Sequence, residues 1–362
     1  MSVGPQDSKG TSQSRVVDYA SQIDPLMPFS TPPTFEDLSE QYPEDKIPYL
    51  DRLDVDESKL SQEQKFWRDN GFLILPGFIP NELVDAYLDL RRRNNVPLRG
   101  WQTAVPYMYF EELKNICCYK PLSDMLKELI GAEMGMHFNI TQMLSTERGW
   151  HQDDYLNPPD IYSWYAATWI ALDEIDPDSG PFEFVRGTHK WPCMKSHKVK
   201  QYLKPEYRNV TSSRENSKLH WAALAELITN AAYEDKLRHS GLKTEKFLGK
   251  KGDVLIWHGR LLHRGSVPKD NNIPRPSIIT HYSDIATRRD IGSRIRQHND
   301  GGWYWDFPNL YLTDSADIPN MERLVRELAL KSDRIEGLEL ELAKKTERIS
   351  EVERELARRA TP

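Results

Sequence analysis

Cysteine is scarce in this chain of 362 residues: Cys117, Cys118 and Cys193 are the only three. Three thiols cannot build the paired framework that staples small secreted domains. Stability must then come from a packed core, and a reducing, cytosolic setting is expected. Long apolar runs are lacking too. No stretch approaches the roughly 20 residues that a membrane-spanning helix needs, and Met1 to Gly10 has no apolar run of the kind a secretory leader carries. Nor is positive charge in excess. Against 48 Lys and Arg stand 55 Asp and Glu, a formal net charge of −7. No basic patch with interleaved aromatics appears, which argues against nucleic acid as a partner. What the chain does have is 38% hydrophobic and 10% aromatic residues, enough for one large domain with extensions.

Against this background Trp150-His151-Gln152-Asp153 stands out, together with Leu262-His263 and Arg275. A His-x-Asp pair followed much later by one more His is the ligand set of a non-haem Fe(II) site. Two imidazoles and a carboxylate take one face of the metal and leave open positions for a co-substrate and O2. Those positions allow oxidations that side chains cannot perform alone. The spacing has a geometric reason. Residues i and i+2 of a strand point to one face, so an extended segment from 150 to 155 puts His151 and Asp153 together and turns Gln152 away. The third ligand must then come from a neighbouring strand. The carboxylate at 153 also fills a position that a small residue would leave to a halide.

The distal half has its own pattern. Gly252-Asp253 reads as a turn that opens a buried strand through His258. Arg275-Pro276-Ser277 leads into a second apolar strand, Ile278 to Tyr282. Arg275 and Ser277 share a face. A guanidinium fork suits a carboxylate bidentately, and a hydroxyl two residues on adds one hydrogen bond. The guest implied is the free end of a dicarboxylic co-substrate.

These motifs, in order, resemble the phytanoyl-CoA dioxygenase family of Fe(II)/2-oxoglutarate oxygenases. The stretch Asp69-Asn70-Gly71-Phe72 through Phe78 is similar to the family's opening strand. Then come His151-Gln152-Asp153, Ser179-Gly180-Pro181 through Gly187-Thr188-His189-Lys190, and Leu261-Leu262-His263 with Arg275. The resemblance covers about residues 62 to 290. It implies a mainly β fold with flanking helices, built on a double-stranded β-helix (jelly-roll) core. It also implies Fe(II) on His151, Asp153 and His263, 2-oxoglutarate on Arg275, O2 as co-substrate, and Trp169 lining the co-substrate pocket. Two departures stand. Arg186 occupies a position where the family usually has Pro, and Arg275 lies one residue further from His263 than is common, an extra residue that fits the Pro268–Pro274 loop. The implied reaction is hydroxylation of a C–H bond in a small-molecule or lipid-like substrate, with release of succinate and CO2.

Blander readings compete at single positions. His-x-Asp alone occurs by chance on surfaces. His258 is the rival of His263, with a satisfied core or rim histidine as its plainer role. His189 and His281 read as structural, Trp169 as a core aromatic, and Asp154 as a ligand only if the strand is out of register. Asn139 and Thr141 suit either the co-substrate pocket or a solvated strand face. A non-catalytic jelly roll whose tail mediates assembly is the alternative for the whole chain; an intact ligand set with an Arg-x-Ser anchor argues against it.

Composition and periodicity divide the chain into an expected series of segments. Residues 1–24 form a polar, disordered tail, and 25–60 an extended, Pro-punctuated segment carrying Phe29, Phe35, Tyr42 and Tyr49. The oxygenase domain spans 61–312, with a charged helical insertion at about 192–250. Asn81 is expected to cap a helix through Arg93, and Gly131 to end a helix that begins at Pro121. Trp303, Tyr304, Trp305, Phe307 and Tyr311 cluster near the domain's end, lining a substrate mouth or covering the barrel. Residues 320–359 carry a heptad seam: Met321, Leu324, Leu328, Lys331, Ile335, Leu338, Leu342, Lys345, Ile349, Val352 and Leu356. This predicts a coiled coil and a homo-oligomer, with a lone solvated helix as the plainer reading.

Overall fold

Helix signals and strand signals alternate along the chain, and each set finds its own layer. The structure is a computed structural model. It describes residues 32–307 apart from 102, 104, 146, 147, 155, 156, 159, 160, 204–220, 289, 290, 292 and 293, together with 345, 346 and 348. The expected tail at 1–24 and nearly all of the heptad seam lie outside the described residues. The chain divides into two compact units, one from the segment up to Glu40 with Met194–Gly241, the other from Gln41–Cys193 with the chain from Leu242 on.

The first unit is helical. Thr34 caps the short helix Phe35–Leu38: its hydroxyl accepts from Asp37 N while the Asp37 carboxylate accepts from Thr34 N, a reciprocal box that satisfies two otherwise orphaned donors. Phe35 packs on Tyr233 of the helix Trp221–Ser240, with ring centroids 5.6 Å apart. Ser196–Gln201 is a further helix. The stretch expected to be a helical insertion thus carries helices, and it groups with the chain's early segment.

In the second unit, α1 (Gln62–Asn70) starts at a Ser61 capping box and ends at Gly71, whose φ of 78° is left-handed. A side chain there would also collide with the His189 ring, so only glycine fits. β1 (Phe72–Leu75) follows. Helix α2 (Asn81–Arg93) begins one residue earlier than expected. Pro80 is the cap and Asn81 the first helical residue, because the Pro80 carbonyl already accepts from Leu83 N and Val84 N. Helices α3 (Glu111–Cys117) and α4 (Lys120–Ile130) come next, α4 stopping at left-handed Gly131 as expected. Leu122, Leu126, Leu129 and Ile130 of α4 are fully buried; each contributes about 1.5–3 kcal/mol before ordering costs.

The remaining strands are β2 (Met134–Ile140), β3 (Arg148–His151), β4 (Tyr165–Ala171), β5 (Phe182–Phe184), β6 (Glu245–Lys246), β7 (Val254–His258), β8 (His263–Gly265), β9 (Ser277–Asp284), β10 (Arg294–Gln297) and β11 (Trp303–Asp306). Among the described residues they form a major sheet ordered β10-β11-β2-β9-β4-β7-β1 and a minor sheet ordered β3-β8-β5-β6. Neighbours run antiparallel except β11 beside β2. Alternation along the central strands sets two faces. Ala166, Ile170, Ile256, Ile278 and Tyr282 share a core with α2, α3 and α4. Trp169, Leu255 and Trp257 pack instead with Phe182 and Phe184 of the minor sheet. The two sheets therefore face each other across an aromatic layer, with helices on the back of the larger one.

The aromatic cluster near the domain's end joins the sheet. Trp305 is buried, and its carbonyl accepts from the Tyr107 hydroxyl at 3.0 Å. Tyr311 lies outside the described residues. Asn139 and Thr141 are both buried, and neither is on a solvated face. Asn139 faces the helices, bonded to Thr280 at 2.8 Å and close to the Cys117 sulfur, so the co-substrate role weighed for it does not fit. The three cysteines are free and buried.

Candidate metal centre

The minor sheet brings the two histidines together. β8 lies between β3 and β5, and His263 stands opposite His151 in the register. Their rings lie 4.2 Å apart, centroid to centroid. Asp153 arrives differently from the expectation of a continuous strand. β3 ends at His151, and the chain then turns, with Asp153 N and Asp154 N both donating to the Gly259 carbonyl at 2.8 and 3.1 Å. Gln152 donates to the Arg260 carbonyl at 2.9 Å. A turn pinned to the Gly259–Arg260 loop, and not strand alternation, sets Asp153 beside His151.

One ligand atom from each of His151, Asp153 and His263 lies within 4.8 Å of the others. The nearest approaches are 3.6 Å from His151 Nε2 to Asp153 Oδ1 and 3.6 Å from His263 Nε2 to Asp153 Oδ2. Those gaps are too long for hydrogen bonds and suit three donors that each reach one ion at about 2 Å. All three residues are buried. Each histidine gives Nδ1–H to a carbonyl two residues earlier, His151 to Gly149 at 2.8 Å and His263 to Leu261 at 2.9 Å. That fixes the tautomer and leaves the Nε2 lone pair facing the cluster.

Electrostatics prepare the same state. Burial holds both imidazoles below the usual histidine range, and for His151 the nearby Arg148 adds to this. Burial alone would push the Asp153 carboxyl up, but it is held below its ordinary value, with Arg148 and a hydrogen bond from Trp257 favouring the ionised form. Trp257 Nε1 donates to Asp153 Oδ2 at 3.0 Å. Neutral imidazoles and an ionised carboxylate are the protonation states that bind a divalent metal.

Arg275 is 3% exposed. It gives one N–H to the Gly180 carbonyl at 2.9 Å, and among the described residues its Nε has no partner. Burial lowers its pKa to about 10. Trp169 lies beneath the guanidinium, 6.0 Å to the ring centroid, and its own Nε1 is unpartnered. Ser277 is buried, with its hydroxyl 3.4 Å from the Arg275 carbonyl. A buried guanidinium with an orphaned donor fits a bound carboxylate, the group a dicarboxylic co-substrate would supply.

The rival histidines are spoken for elsewhere. His258 Nε2 donates to Asp51 at 2.9 Å and its Nδ1 accepts from Arg260 N at 3.0 Å. His189 bonds the Arg68 carbonyl at 3.0 Å. His281 bonds the Tyr165 hydroxyl. Asp154 accepts from Ser163 at 2.7 Å. Arg186 makes a two-pronged pair with Glu245 at 2.8 and 3.0 Å and also reaches Asn70. Three contributors were not among the expected site residues: Trp257 against Asp153, Phe182 stacked on His263 at 5.0 Å, and the Gly259 carbonyl. Only Gly259 left a trace, as a lone glycine between two polar residues.

Among the described residues no helix is long and apolar enough to cross a membrane. A search of the curated proteins finds no match. Among solved structures, similar ones include the non-haem α-ketoglutarate-dependent epimerase SnoN from nogalamycin biosynthesis, 16% identical over 63% of this chain and 82% of that one, with a TM-score of 0.44. EctD from S. alaskensis with 2-oxoglutarate and 5-hydroxyectoine is 15% identical over 72% of this chain and 89% of its own, TM-score 0.47. HygX from Streptomyces hygroscopicus with iron bound is 15% identical over 62% and 87%, TM-score 0.43. The family model for phytanoyl-CoA dioxygenase matches residues 67–275, a span that holds all three clustered residues and reaches Arg275. The chain belongs to the phytanoyl-CoA dioxygenase family and is an enzyme of the Fe(II)- and 2-oxoglutarate-dependent class.

Proposed function

We propose that the enzyme hydroxylates a C–H bond of a small-molecule or lipid-like substrate. In this reading His151, Asp153 and His263 hold Fe(II), and Arg275 takes the far carboxylate of 2-oxoglutarate, with Ser277 and Trp169 beside it. The observation that carries it is the pairing of two features: a buried cluster of two Nε2 atoms and a carboxylate, and a buried guanidinium with an unspent donor. Fe(II) and 2-oxoglutarate bound there supply O2-driven oxidation, with succinate and CO2 as co-products. The chain's own part is positional. Gly149 and Leu261 carbonyls orient the imidazoles, Trp257 fixes one oxygen of Asp153, and the aromatic layer of Trp169, Phe182 and Trp257 keeps bulk water from the cluster.

The supporting architecture is read as a double-stranded β-helix within residues 61–312, and the heptad seam at 320–359 as a coiled coil that makes the protein a homo-oligomer. Buried free thiols fit a cytosolic setting. Substrate identity is tested by incubating the full-length enzyme with a fractionated metabolite extract, Fe(II), 2-oxoglutarate and O2. The expected result is a compound that gains the mass of one oxygen only when 2-oxoglutarate is present. Succinate formation with no oxygenated product in any fraction would count against hydroxylation.

A further inference from the structure

Outside the cluster, Asp51 forms a buried charge group with His258 and Arg260. Asp51 sits on the single turn Tyr49–Asp51, and its side chain is 3% exposed. One carboxylate oxygen accepts from His258 Nε2 at 2.9 Å and from Arg260 Nη2 at 3.3 Å. His258 Nδ1 in turn accepts from Arg260 N at 3.0 Å. The imidazole proton therefore sits on Nε2, pointing at Asp51, and the two bonds hold the backbone between 258 and 260 in one shape.

Gly259 is the residue so held. Its carbonyl is the acceptor for Asp153 N and Asp154 N, and the next carbonyl, Arg260, takes the Gln152 amide. The fit leaves no slack, since a Cβ on Gly259 would lie 2.3 Å from Asp154 Oδ1. Leu261 N closes the turn on the His258 carbonyl at 2.8 Å, and the chain runs straight on to His263. The turn itself is anchored: Arg68 donates to the Leu50 and Arg52 carbonyls at 2.7 and 2.6 Å on either side of Asp51.

We infer that Asp51 is a positioning residue for the iron site, acting through His258, Arg260 and the Gly259 carbonyl to set where Asp153 stands. The inference rests on the reading of Asp153 as a metal ligand. It assigns a metal-site role to a residue a hundred positions upstream, outside every motif of the oxygenase pattern. A tie that merely fastened the 41–60 segment to the sheet would need no bond to the ligand-bearing turn; here the same two residues that grip Asp51 flank the carbonyl that grips Asp153.

The test compares full-length wild type, Asp51→Asn and Asp153→Ala by titration with Co(II), and with Fe(II) under anaerobic conditions, while thermal melts report folding. Partners that orient metal ligands typically account for about 10–100-fold in metal affinity. Asp51→Asn should weaken binding by that factor, and should alter the ligand-field spectrum of bound Co(II), in a protein that still melts cooperatively. An affinity within twofold of wild type with an unchanged spectrum, whatever the melting temperature, would overturn the inference and leave Asp51 as a fastening. Wild-type-like binding by Asp153→Ala would instead overturn the ligand reading, and this inference with it. If Asp51→Asn does not fold, Arg260→Lys answers the same question, since it keeps the charge and removes the Nη2 donor to Asp51: the same direction of change supports the role, and unchanged affinity and spectrum count against it.

Discussion

A side chain's chemistry is portable, and that is why the candidate ligands could be read from the sequence. Imidazole and carboxylate at His151, Asp153 and His263, and a guanidinium at Arg275, name their guests by type and order alone. The residues that orient them left no such mark. Trp257 touches Asp153 across 104 positions and Asp51 touches His258 across 207, and no local pattern records a contact of that range. At this scale two outcomes are expected. His151→Ala or His263→Ala leaves two protein ligands and should abolish measurable Fe(II) binding in equilibrium dialysis; retained stoichiometric iron would contradict the assignment. Arg275→Ala removes a buried charged donor, a loss of about 2–5 kcal/mol, so 2-oxoglutarate affinity measured by calorimetry should fall well over tenfold. Unchanged affinity would remove Arg275 from the co-substrate site.

At the scale of elements, periodicity gave the right kinds of structure and less of their ends. The strand at 254–258 and the helix closed by Gly131 follow directly from apolar runs and a glycine stop. The ends shift where tertiary bonds intervene. The Gly259 carbonyl takes over from strand pairing just after His151, and the Pro80 carbonyl starts α2 before the better capping residue Asn81. Which face of β2 turns to the helices was not legible either, because Asn139 is polar yet points at them and pairs with Thr280. The junction of α1 and β1 offers a test. Gly71 is left-handed, its absent side chain makes room for His189, and its carbonyl accepts from His258 N at 2.9 Å. Gly71→Ala should cost about 1–2 kcal/mol for backbone strain alone, with the clash added, and lower the melting temperature by several degrees. A melt unchanged within error would mean that the junction relaxes freely.

For the whole molecule, burial of neutral histidines sets the response to acid. His281 is held down to about 4 by burial, and His137, His151 and His189 well below their ordinary value for the same leading reason. Below the ordinary histidine value of about 6.5 the unfolded chain takes up protons that the folded chain refuses at these positions. Stability of the metal-free protein should therefore fall as pH drops below that value. Urea unfolding at a series of pH values checks this, and a flat profile there would contradict it. The proposed assembly has its own test: deleting residues from Met321 onward should lower the number of chains per particle, from light scattering, while Fe(II) and 2-oxoglutarate still bind. An unchanged number of chains would make the tail a solitary helix or a docking segment for another partner. The most direct test of the account is an anaerobic titration of Fe(II)-loaded enzyme with 2-oxoglutarate, followed by the visible charge-transfer band of the ternary complex. The account predicts a saturable band in the wild type, no band in His263→Ala, and a band that needs well over tenfold more 2-oxoglutarate in Arg275→Ala. A wild-type band that persists unchanged in both variants would contradict it.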